Sequence, residues 1–262
     1  MCETCGCSLR PHKSMPLPAT VHLKPRGQES LPRGVESHQV LHNLMASNDR
    51  QAQQNRQQLN DAGVVAINLM SSPGSGKTRL LEATIRQLKK RRKLAVIEGD
   101  LETENDADRI RQQGVTAIQI TTGTACHLDA HYIRDALSQL SLNEIDILFI
   151  ENVGNLVCPA AFDLGQHANI VLLSTTEGDD KPLKYPVMFQ KVDGMVVSKV
   201  ELLEFFDDFS IDSAIKNFSK LANRNPVWPL SAKTGAGMES WLNWLIDFSA
   251  PSQSVARREL VT

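Results

Sequence analysis

The sequence predicts an α/β protein with a mostly parallel sheet and helices on both faces. Continuous apolar runs alternate with helical segments from about residue 64 onward, which is typical of parallel strands buried on both sides. A glycine-rich loop joins the first of these strands to a helix, and acidic residues stand where later strands end. Because ligands of open α/β sheets bind beyond the carboxyl ends of the strands, these features favour a ligand site at that edge.

The chain divides into three predicted parts. Residues 1–35 are expected to be a flexible segment, because this stretch is rich in proline and shows little periodicity. Residues 36–250 form the predicted domain, which opens with a polar helix at 37–61. Residues 251–262 form a tail.

Strands and helices alternate through the domain. Strands are expected at residues 64–70, 93–100, 116–121, 146–153, 169–175, 193–199 and 226–231. Helices are expected from the glycine-rich loop to about residue 90, and at 127–140, 211–223 and 239–248. No internal repeat interrupts this alternation.

The composition excludes several classes of function. Hydrophobic residues make up 41% and the formal net charge is −2, so no electrostatic footprint for nucleic acid or an anionic membrane is expected. No apolar run reaches the length of a membrane span, and the amino terminus lacks the apolar core of a signal peptide. We therefore expect a cytoplasmic protein. In that compartment its five cysteines favour metal binding over disulfides.

The glycine-rich loop SSPGSGKT, residues 71–78, has the features of a phosphate-binding P-loop. Glycines allow the tight turn, and the helix that follows presents its positive end to an anion. Lys77 is expected to reach the β- and γ-phosphates, and the Thr78 hydroxyl to bind Mg²⁺. Ser71 stands where the strict pattern has glycine. The predicted phosphate-binding residues are Ser72, Pro73, Gly74, Ser75, Gly76, Lys77, Thr78 and Arg79.

Two acidic residues at strand ends are expected to complete this site. Asp100 ends the second strand, where a carboxylate can orient Mg²⁺ or the attacking water. Glu151 ends the fourth strand, and Gly154 just after it can approach the γ-phosphate through its backbone. The predicted catalytic set is therefore Lys77, Thr78, Asp100 and Glu151, with Mg²⁺ on Thr78 and Asp100. The alternative is that these acids only cap strand ends in solvent.

Two further segments favour guanine as the base. Guanine-specific P-loop proteins carry N-K-x-D and then S-A-K, and here the first reads S-K-V-E. Lys199 can lie along the base, and the Glu201 carboxylate can accept from the guanine N1–H and N2–H₂, whereas Ser198 cannot supply the amide of asparagine. The second segment is intact as Ser231, Ala232 and Lys233. GTP is the expected substrate, with weakened affinity or relaxed specificity as the alternative.

Three cysteines form C-x-x-C-G-C at the amino terminus, as Cys2, Cys5 and Cys7. Thiols this close can converge on one soft metal ion, and Ni²⁺ suits a square-planar set of such donors. If Met1 is removed, the α-amine of Cys2 is a candidate fourth ligand. The alternative is a tail of redox-labile thiols.

A second metal site is expected near the nucleotide. Cys126 and His127 are adjacent, His131 is placed four residues further on the same helix face, and Cys158 follows the strand that carries Glu151. Both segments leave the same edge of the sheet. A site completed by a second subunit is a further possibility, since one chain offers few ligands.

Taken together, these motifs closely resemble those of the HypB family of hydrogenase nickel incorporation proteins, over nearly the whole chain. The resemblance rests on MCETCGC, QNRQQL, NLMSSPGSGKT, GDLETENDADR, TGTACHLDAH, ENVGNLVCPA and SAKTGAGMESWLNWL. It implies a GTPase domain, of the class that includes signal-recognition and septum-site nucleotide hydrolases, which dimerises across nucleotide. It also implies a high-affinity nickel site at the cysteine triplet and a nickel or zinc site at Cys126, His127 and Cys158. The implied partners are the nickel chaperone HypA and the hydrogenase large-subunit precursor.

The resulting hypothesis is a GTPase whose nucleotide state gates the handover of nickel. Because the predicted metal ligands lie on segments next to Asp100 and Glu151, nickel is expected to change nucleotide affinity or turnover, and the reverse. A urease-type or zinc-trafficking GTPase is one rival, against which the cysteine triplet argues. A metal store or carrier with relaxed or lost guanine specificity is the other, supported only by the S-K-V-E segment.

Overall fold

The computed structural model describes residues 37–100, 105–123, 125–222 and 224–250. The amino-terminal segment with its cysteine triplet, and the tail at 251–262, lie outside the described residues. The helices are α1 (Ser37–Ala62), α2 (Lys77–Leu88), α3 (Asn105–Gln112), α4 (Ala130–Leu137), α5 (Lys181–Lys184), α6 (Pro186–Gln190), α7 (Ile211–Ser219) and α8 (Met238–Phe248). The strands are β1 (Val65–Ser71), β2 (Leu94–Asp100), β3 (Thr116–Thr121), β4 (Ile147–Glu151), β5 (Ala168–Ser174), β6 (Gly194–Ser198) and β7 (Val227–Pro229).

These strands form one sheet in the order β3-β2-β4-β1-β5-β6-β7, and every pairing in it is parallel. β1 lies in the middle, between β4 and β5. The chain leaves β1 toward β2 on one side and leaves β5 toward β6 on the other. A crevice therefore opens beyond the carboxyl ends of the central strands, where the direction of winding changes.

Helices cover both faces of the sheet, because its central strands are apolar on both sides. In β1, Ile67 and Leu69 contribute to an apolar cluster with residues of α2 and α8. Ala66 contributes to a cluster on the opposite face that contains Leu59 of α1 and Ile133 of α4. A third cluster, built around β6, α6 and α7, extends the core on the side of β7.

All seven predicted strands are present, so the predicted fold class is confirmed. The helix α3 was not predicted, because its sequence NDADRIRQ buries only Ala107 and Ile110 and carries little apolar signal. None of the helices among the described residues combines the length and apolar character needed to cross a membrane.

The start of α4 corrects one expectation. Asp129 is the amino-terminal cap of this helix, and its side chain accepts hydrogen bonds from the backbone N–H groups of His131 and Tyr132. Since α4 therefore begins at Ala130, His127 lies in the preceding loop. The expectation that His127 and His131 share one helix face is wrong.

Candidate functional site

The loop between β1 and α2 has the conformation of an anion cradle. Gly74 and Gly76 have φ values of 75° and 93°, in the left-handed region that glycine adopts most easily. Gly76 caps α2 without any side-chain hydrogen bond, which leaves the first N–H groups of the helix available to a phosphate. Lys77 lies at the start of that helix, and its Nζ donates to Ser71 Oγ at 2.9 Å.

Ser71, which replaces the first glycine of the strict P-loop pattern, has a defined role in this loop. Its side chain is fully buried, accepts from Lys77 and donates to the carbonyl oxygen of Ser72 at 2.6 Å. The serine hydroxyl therefore orients the lysine ammonium toward the loop, and the departure from the pattern does not disturb the cradle.

Glu177, which the sequence did not single out, holds the loop from outside. Its carboxylate accepts from Ser72 Oγ at 2.6 Å and from Ser75 Oγ at 2.8 Å. It also accepts from the backbone N–H of Ser174 at the end of β5, at 3.2 Å. The position of Glu177, just beyond a central strand, is the only sequence signal that points to it.

Three carboxylates converge beside the loop. Glu98, Asp106 and Glu151 each offer an oxygen within 4.8 Å of the others, and Thr78 Oγ1 donates to Glu151 Oε1 at 2.8 Å. Burial and the neighbouring Glu151 hold the pKa of Glu98 well above its usual value. Burial also raises the pKa of Glu151, although Lys77 acts in the opposite direction. The cluster therefore concentrates oxygen donors in a space where their charge is costly.

This donor set fits Mg²⁺. The Oε2 atoms of Glu98 and Glu151 are buried and have no hydrogen-bond partner among the described residues, and a hard divalent cation coordinated by oxygen would satisfy both. Asp100, the predicted ligand, lines the same cavity of about 390 Å³ with the phosphate loop but is not one of the three converging carboxylates. Glu98 and Asp106 were missed, although Glu98 lies two positions before Asp100 and so points to the same face of β2.

The predicted base-reading segments meet in one smaller cavity. Its volume is about 190 Å³. Its lining includes Ser75, Gly76, Arg79, Ser198, Lys199, Glu201, Ala232 and Lys233. The two segments that sequence analysis connected only by pattern, at 198–201 and 231–233, therefore face each other beside the phosphate loop.

The altered S-K-V-E segment remains anchored to the phosphate loop. Ser198 Oγ donates to the carbonyl oxygen of Ser75 at 2.7 Å, and Lys199 Nζ donates to that of Gly74 at 2.7 Å. Lys199 has a φ of 62°, a conformation that non-glycine residues adopt mainly at functional or tightly constrained positions. Glu201 Oε2 is buried without a partner in the described part of the chain. This carboxylate oxygen is therefore available to accept hydrogen bonds from the N–H groups of a base.

Ser231 shapes the other side of this cavity. It is fully buried, and its Oγ accepts from the backbone N–H groups of Lys233 and Thr234 at 3.2 and 3.0 Å. This turn presents Ala232 and Lys233 to the cavity, as the intact S-A-K segment predicts.

A cluster of soft ligands lies in the two loops that follow β3 and β4. The side chains of Cys126, His127 and Cys158 offer ligand atoms within 4.8 Å of one another, and Cys126 Sγ lies 3.6 Å from His127 Nδ1. The His127 ring stacks on Phe162 with ring centroids 3.9 Å apart. Two sulfurs and one imidazole nitrogen form a donor set for a late transition metal.

The protonation states of this cluster follow from its half-buried setting. Burial lowers the pKa of His127, which favours the neutral imidazole that metals bind. The hydrogen bond with Cys158, together with burial, raises the pKa of the Cys126 thiol. A metal that binds here therefore displaces thiol protons.

His131 does not join this cluster. It lies on α4, where its Nε2 is 3.4 Å from Ser47 Oγ of α1, and no cluster of converging ligands in the described residues includes it. The cap at Asp129 separates His127, in the loop, from His131, on the helix. As a ligand to the same metal ion within one chain, His131 was predicted incorrectly.

One short segment connects the carboxylate cluster with the cysteines. It begins at Glu151 and ends at Cys158. Asn152 Oδ1 accepts from the backbone N–H of Leu128, just after His127, at 3.2 Å. Asn155 Nδ2 donates to the carbonyl oxygen of Cys126 at 3.3 Å.

The same segment touches the phosphate loop. A Cβ atom on Gly154 would lie 2.8 Å from Pro73 Cα, so the two backbones are in close contact there and only glycine fits. Because of this contact, a displacement of the phosphate loop or of Glu151 would also displace the loop that holds Cys158.

The comparisons with known proteins agree with this geometry. The family model described as "CobW/HypB/UreG, nucleotide-binding domain" matches residues 64–228. The chain belongs to the CobW/HypB/UreG family. A curated relative, the hydrogenase maturation factor HypB of Rhizobium leguminosarum bv. viciae, is 51% identical over 207 residues, which cover 79% of this chain and 69% of the relative.

Two solved HypB structures share the fold. The crystal structure of HypB from Helicobacter pylori in complex with nickel has a TM-score of 0.74 and 44% sequence identity, covering 78% of this chain and 95% of that one. HypB from Archaeoglobus fulgidus also has a TM-score of 0.74, with 38% identity, and covers 78% of this chain and 100% of that one.

The CobW/HypB/UreG nucleotide-binding domain accounts for the phosphate loop, the carboxylates, the S-K-V-E segment and the cysteine–histidine cluster, since all lie within the matched residues. The S-A-K segment and α8 follow the matched region, and α1 precedes it.

Proposed function

We propose that this chain is a cytoplasmic nickel-binding GTPase that delivers nickel to the [NiFe]-hydrogenase large-subunit precursor during maturation, with GTP hydrolysis coupled to metal transfer. The observation that carries the proposal is the segment from Glu151 to Cys158. Glu151, which accepts a hydrogen bond from Thr78, stands at one end of this segment, and Cys158 stands at the other. Between them, Asn152 and Asn155 are hydrogen-bonded to the loop that carries Cys126 and His127.

The phosphate loop and the carboxylate cluster support nucleotide hydrolysis. Lys77 and the N–H groups at the start of α2 are placed to stabilise negative charge on the β- and γ-phosphate oxygens. Thr78, Glu98, Asp106 and Glu151 would hold Mg²⁺, with Asp100 at the edge of the same cavity. Mg²⁺ supplies charge neutralisation of the phosphates when it is bound.

The small cavity beside the loop supports guanine as the base. Glu201 offers a buried carboxylate oxygen that has no partner in the described part of the structure, and this oxygen can accept from the N1–H and N2–H₂ groups of guanine. Adenine presents an acceptor at N1, so it would leave that oxygen unpaired and bring two acceptors together. Because Ser198 and Lys199 remain hydrogen-bonded to the loop, the lost asparagine does not open this cavity.

The soft cluster supports nickel as the cargo. Two thiolates and one imidazole suit Ni²⁺, and they also suit Zn²⁺, which is the expected competitor. The nickel complex of the Helicobacter pylori relative favours nickel. We propose a further nickel site at Cys2, Cys5 and Cys7, where three more thiols stand close in sequence.

A homodimer is the proposed assembly, with the soft cluster at or near its interface. Val157, next to Cys158, is 63% exposed, and an apolar side chain beside a half-buried metal cluster is suited to being covered by a partner. A second copy would also supply the ligands that one chain lacks. The nickel chaperone HypA and the large-subunit precursor are the proposed partners in transfer.

The proposal is tested by binding and turnover of GTP and ATP with Mg²⁺, together with Ni²⁺ titration, on the full chain and on Lys77→Ala and Cys158→Ser. We expect guanine-selective binding and slow hydrolysis that Lys77→Ala abolishes, and loss of one nickel site in Cys158→Ser. Equal affinity for both nucleotides, without hydrolysis, would contradict the GTPase and favour a metal carrier. Rescue of a urease-deficient host but not of a hydrogenase-deficient one would contradict the proposed target.

A further inference from the structure

Two buried asparagines project from one face of α1. Asn48 and Asn55 are seven positions apart, a spacing that places both on the same side of a helix. They are only 2% and 1% exposed. Burying an amide is costly unless its polar atoms are hydrogen-bonded, so their partners identify what they do.

Both amides bind the same residue at the start of α4. Asn48 Oδ1 accepts from the backbone N–H of Ala130 at 2.9 Å, and Asn55 Nδ2 donates to the Ala130 carbonyl oxygen at 2.7 Å. Ala130 comes three residues after His127. The two asparagines thereby fix the backbone immediately downstream of Cys126 and His127.

The same two side chains also bind the segment that follows Cys158. Asn48 Nδ2 donates to the carbonyl oxygen of Asp163 at 2.9 Å, and Asn55 Nδ2 donates to that of Leu164 at 3.1 Å. Phe162, whose ring stacks on His127, directly precedes these residues. Each asparagine therefore bridges the two loops that carry the soft ligands.

Neighbouring contacts leave little freedom between α1 and these loops. Arg56 NH2 lies 2.7 Å from both carboxylate oxygens of Asp163. A Cβ atom on Gly165 would lie 2.6 Å from the carbonyl oxygen of Ala52, so the loop backbone packs directly on the helix. Gln51 Nε2 completes the network by donating to Asn55 Oδ1 at 3.0 Å.

We propose that Asn48 and Asn55 are positioning residues for the cluster of Cys126, His127 and Cys158. They hold the two ligand-bearing loops at a fixed separation, and so set nickel affinity and coordination geometry. The asparagines act through the loop backbone, and the roughly 10- to 100-fold in affinity that direct partners of metal ligands commonly contribute sets the scale of the expected effect. The inference rests on the proposed function, because it takes this cluster to be a nickel site.

The test uses the full chain with Cys2, Cys5 and Cys7 changed to serine, so that nickel reports on the internal cluster. Ni²⁺ is titrated while the sulfur-to-nickel charge-transfer absorption is recorded. In this background Asn48→Ala and Asn55→Ala are compared with Asn43→Ala, an exposed asparagine on the same helix. Binding of GTP shows which variants are folded.

We expect nickel affinity to fall about 10- to 100-fold in the two buried variants, with a shifted charge-transfer spectrum, and to stay at the parent value in Asn43→Ala. Loss of buried hydrogen bonds can unfold the chain, so Arg56→Gln is included as a milder variant. It removes the ion pair with Asp163 and so weakens the contact between α1 and the loop that follows Cys158. Its matched control is Arg50→Gln, an exposed arginine on α1. Arg56→Gln is expected to change the spectrum in the same direction.

The possible outcomes distinguish a failure of the positioning role from a failure of the proposed nickel site. A parent that binds no nickel at the internal cluster would overturn both the metal site and the inference. A parent that binds nickel, with folded Asn48, Asn55 and Arg56 variants indistinguishable from it in affinity and spectrum, would overturn only the positioning role.

Discussion

The packing of α1 against the loop at Gly165 predicts an unusually large effect of a single methyl group. Gly165 has a φ of 89°, and an added Cβ would meet the Ala52 carbonyl oxygen at 2.6 Å and the Arg56 nitrogen at 2.9 Å. Gly235 has nearly the same φ, 87°, but no heavy atom of the described residues lies within 4 Å of its Cβ position. The pair therefore separates backbone strain from overpacking.

Both Gly165→Ala and Gly235→Ala should lose about 1–2 kcal/mol, since an L-residue is strained in the left-handed region. Gly165→Ala should lose about 1–3 kcal/mol more, because the methyl group must push the α1 backbone away from the loop. The total at Gly165 is then roughly 2–5 kcal/mol. The atoms that the methyl group meets belong to the helix backbone, and moving them costs more free energy than rotating the end of a flexible side chain.

Urea unfolding of the two variants, followed by circular dichroism, measures this difference through the midpoint at an unchanged slope. We expect the midpoint of Gly165→Ala to fall clearly below that of Gly235→Ala. Equal losses in the two variants would mean that α1 shifts at little cost, and would refute the rigid contact on which the positioning of the metal loops depends.

Three further predictions concern the base cavity, the buried tryptophan of α8 and an acidic residue before β6 whose pKa is raised. Glu201→Gln should weaken GTP binding about 10- to 100-fold with ATP binding unchanged, because the amide cannot replace a charged acceptor; parallel losses for both nucleotides in calorimetry would count against base reading. Trp241 of α8 is buried, and its Nε1 donates to Thr84 Oγ1 of α2 at 3.0 Å. Trp241→Phe should therefore cost about 1–3 kcal/mol in urea unfolding, more than Trp244→Phe at a half-buried position, and equal costs would contradict this account. Desolvation raises the pKa of Asp193, although the hydrogen bond from the Asn169 backbone N–H lowers it. The folded state therefore binds this proton more tightly than the unfolded state does, and that stability is lost as pH rises from the unfolded value near about 3.9 through the higher native one. Because the residue is exposed to solvent, the effect is small. Asp193→Asn should therefore raise the urea midpoint at neutral pH and flatten its pH profile, and an unchanged profile would contradict this assignment.

Much of the fold is predictable because its strands are buried on both faces. The five central strands are largely apolar and buried along nearly their whole length. The edge strand β3 carries Gln119 and the short edge strand β7 is only partly buried, yet the sequence located all seven strands within a few residues. The helix α3 was missed because only Ala107 and Ile110 of its eight residues are buried. The start of α4 was placed too early, since the capping role of Asp129 depends on its conformation and the Cys126–His127 pair is as compatible with a helix as with a loop.

The candidate site was predictable where the functional residues are contiguous in the sequence and form a motif. The phosphate loop and the S-A-K segment belong to this class, and the structure brings both to one crevice. Glu98, Asp106 and Glu177 were not predictable in the same way, because they come from three separate elements and reach the surroundings of the phosphate loop only through the order of the strands. Ser198 is the opposite case. The motif indicates only that serine cannot supply the amide of asparagine, whereas in the structure its hydroxyl donates to the carbonyl oxygen of Ser75.

The roles of Asn48 and Asn55 lay outside the reach of pattern analysis. In sequence they belong to a polar helix rich in glutamine, arginine and asparagine, where every amide resembles a solvent-exposed residue. Their burial follows from the docking of α1 on two distant loops, and contacts across more than 70 positions of sequence separation leave no local signal.

The central claim is that the nucleotide site and the soft-metal cluster are energetically coupled through the segment from Glu151 to Cys158. The most direct test is calorimetric binding of a non-hydrolysable GTP analogue with Mg²⁺, with and without Ni²⁺, to the full chain whose Cys2, Cys5 and Cys7 are serine. The account predicts that nickel changes nucleotide affinity by about 5- to 150-fold, and that nucleotide changes nickel affinity by the same factor. Nucleotide affinity that is identical with and without bound nickel would contradict it.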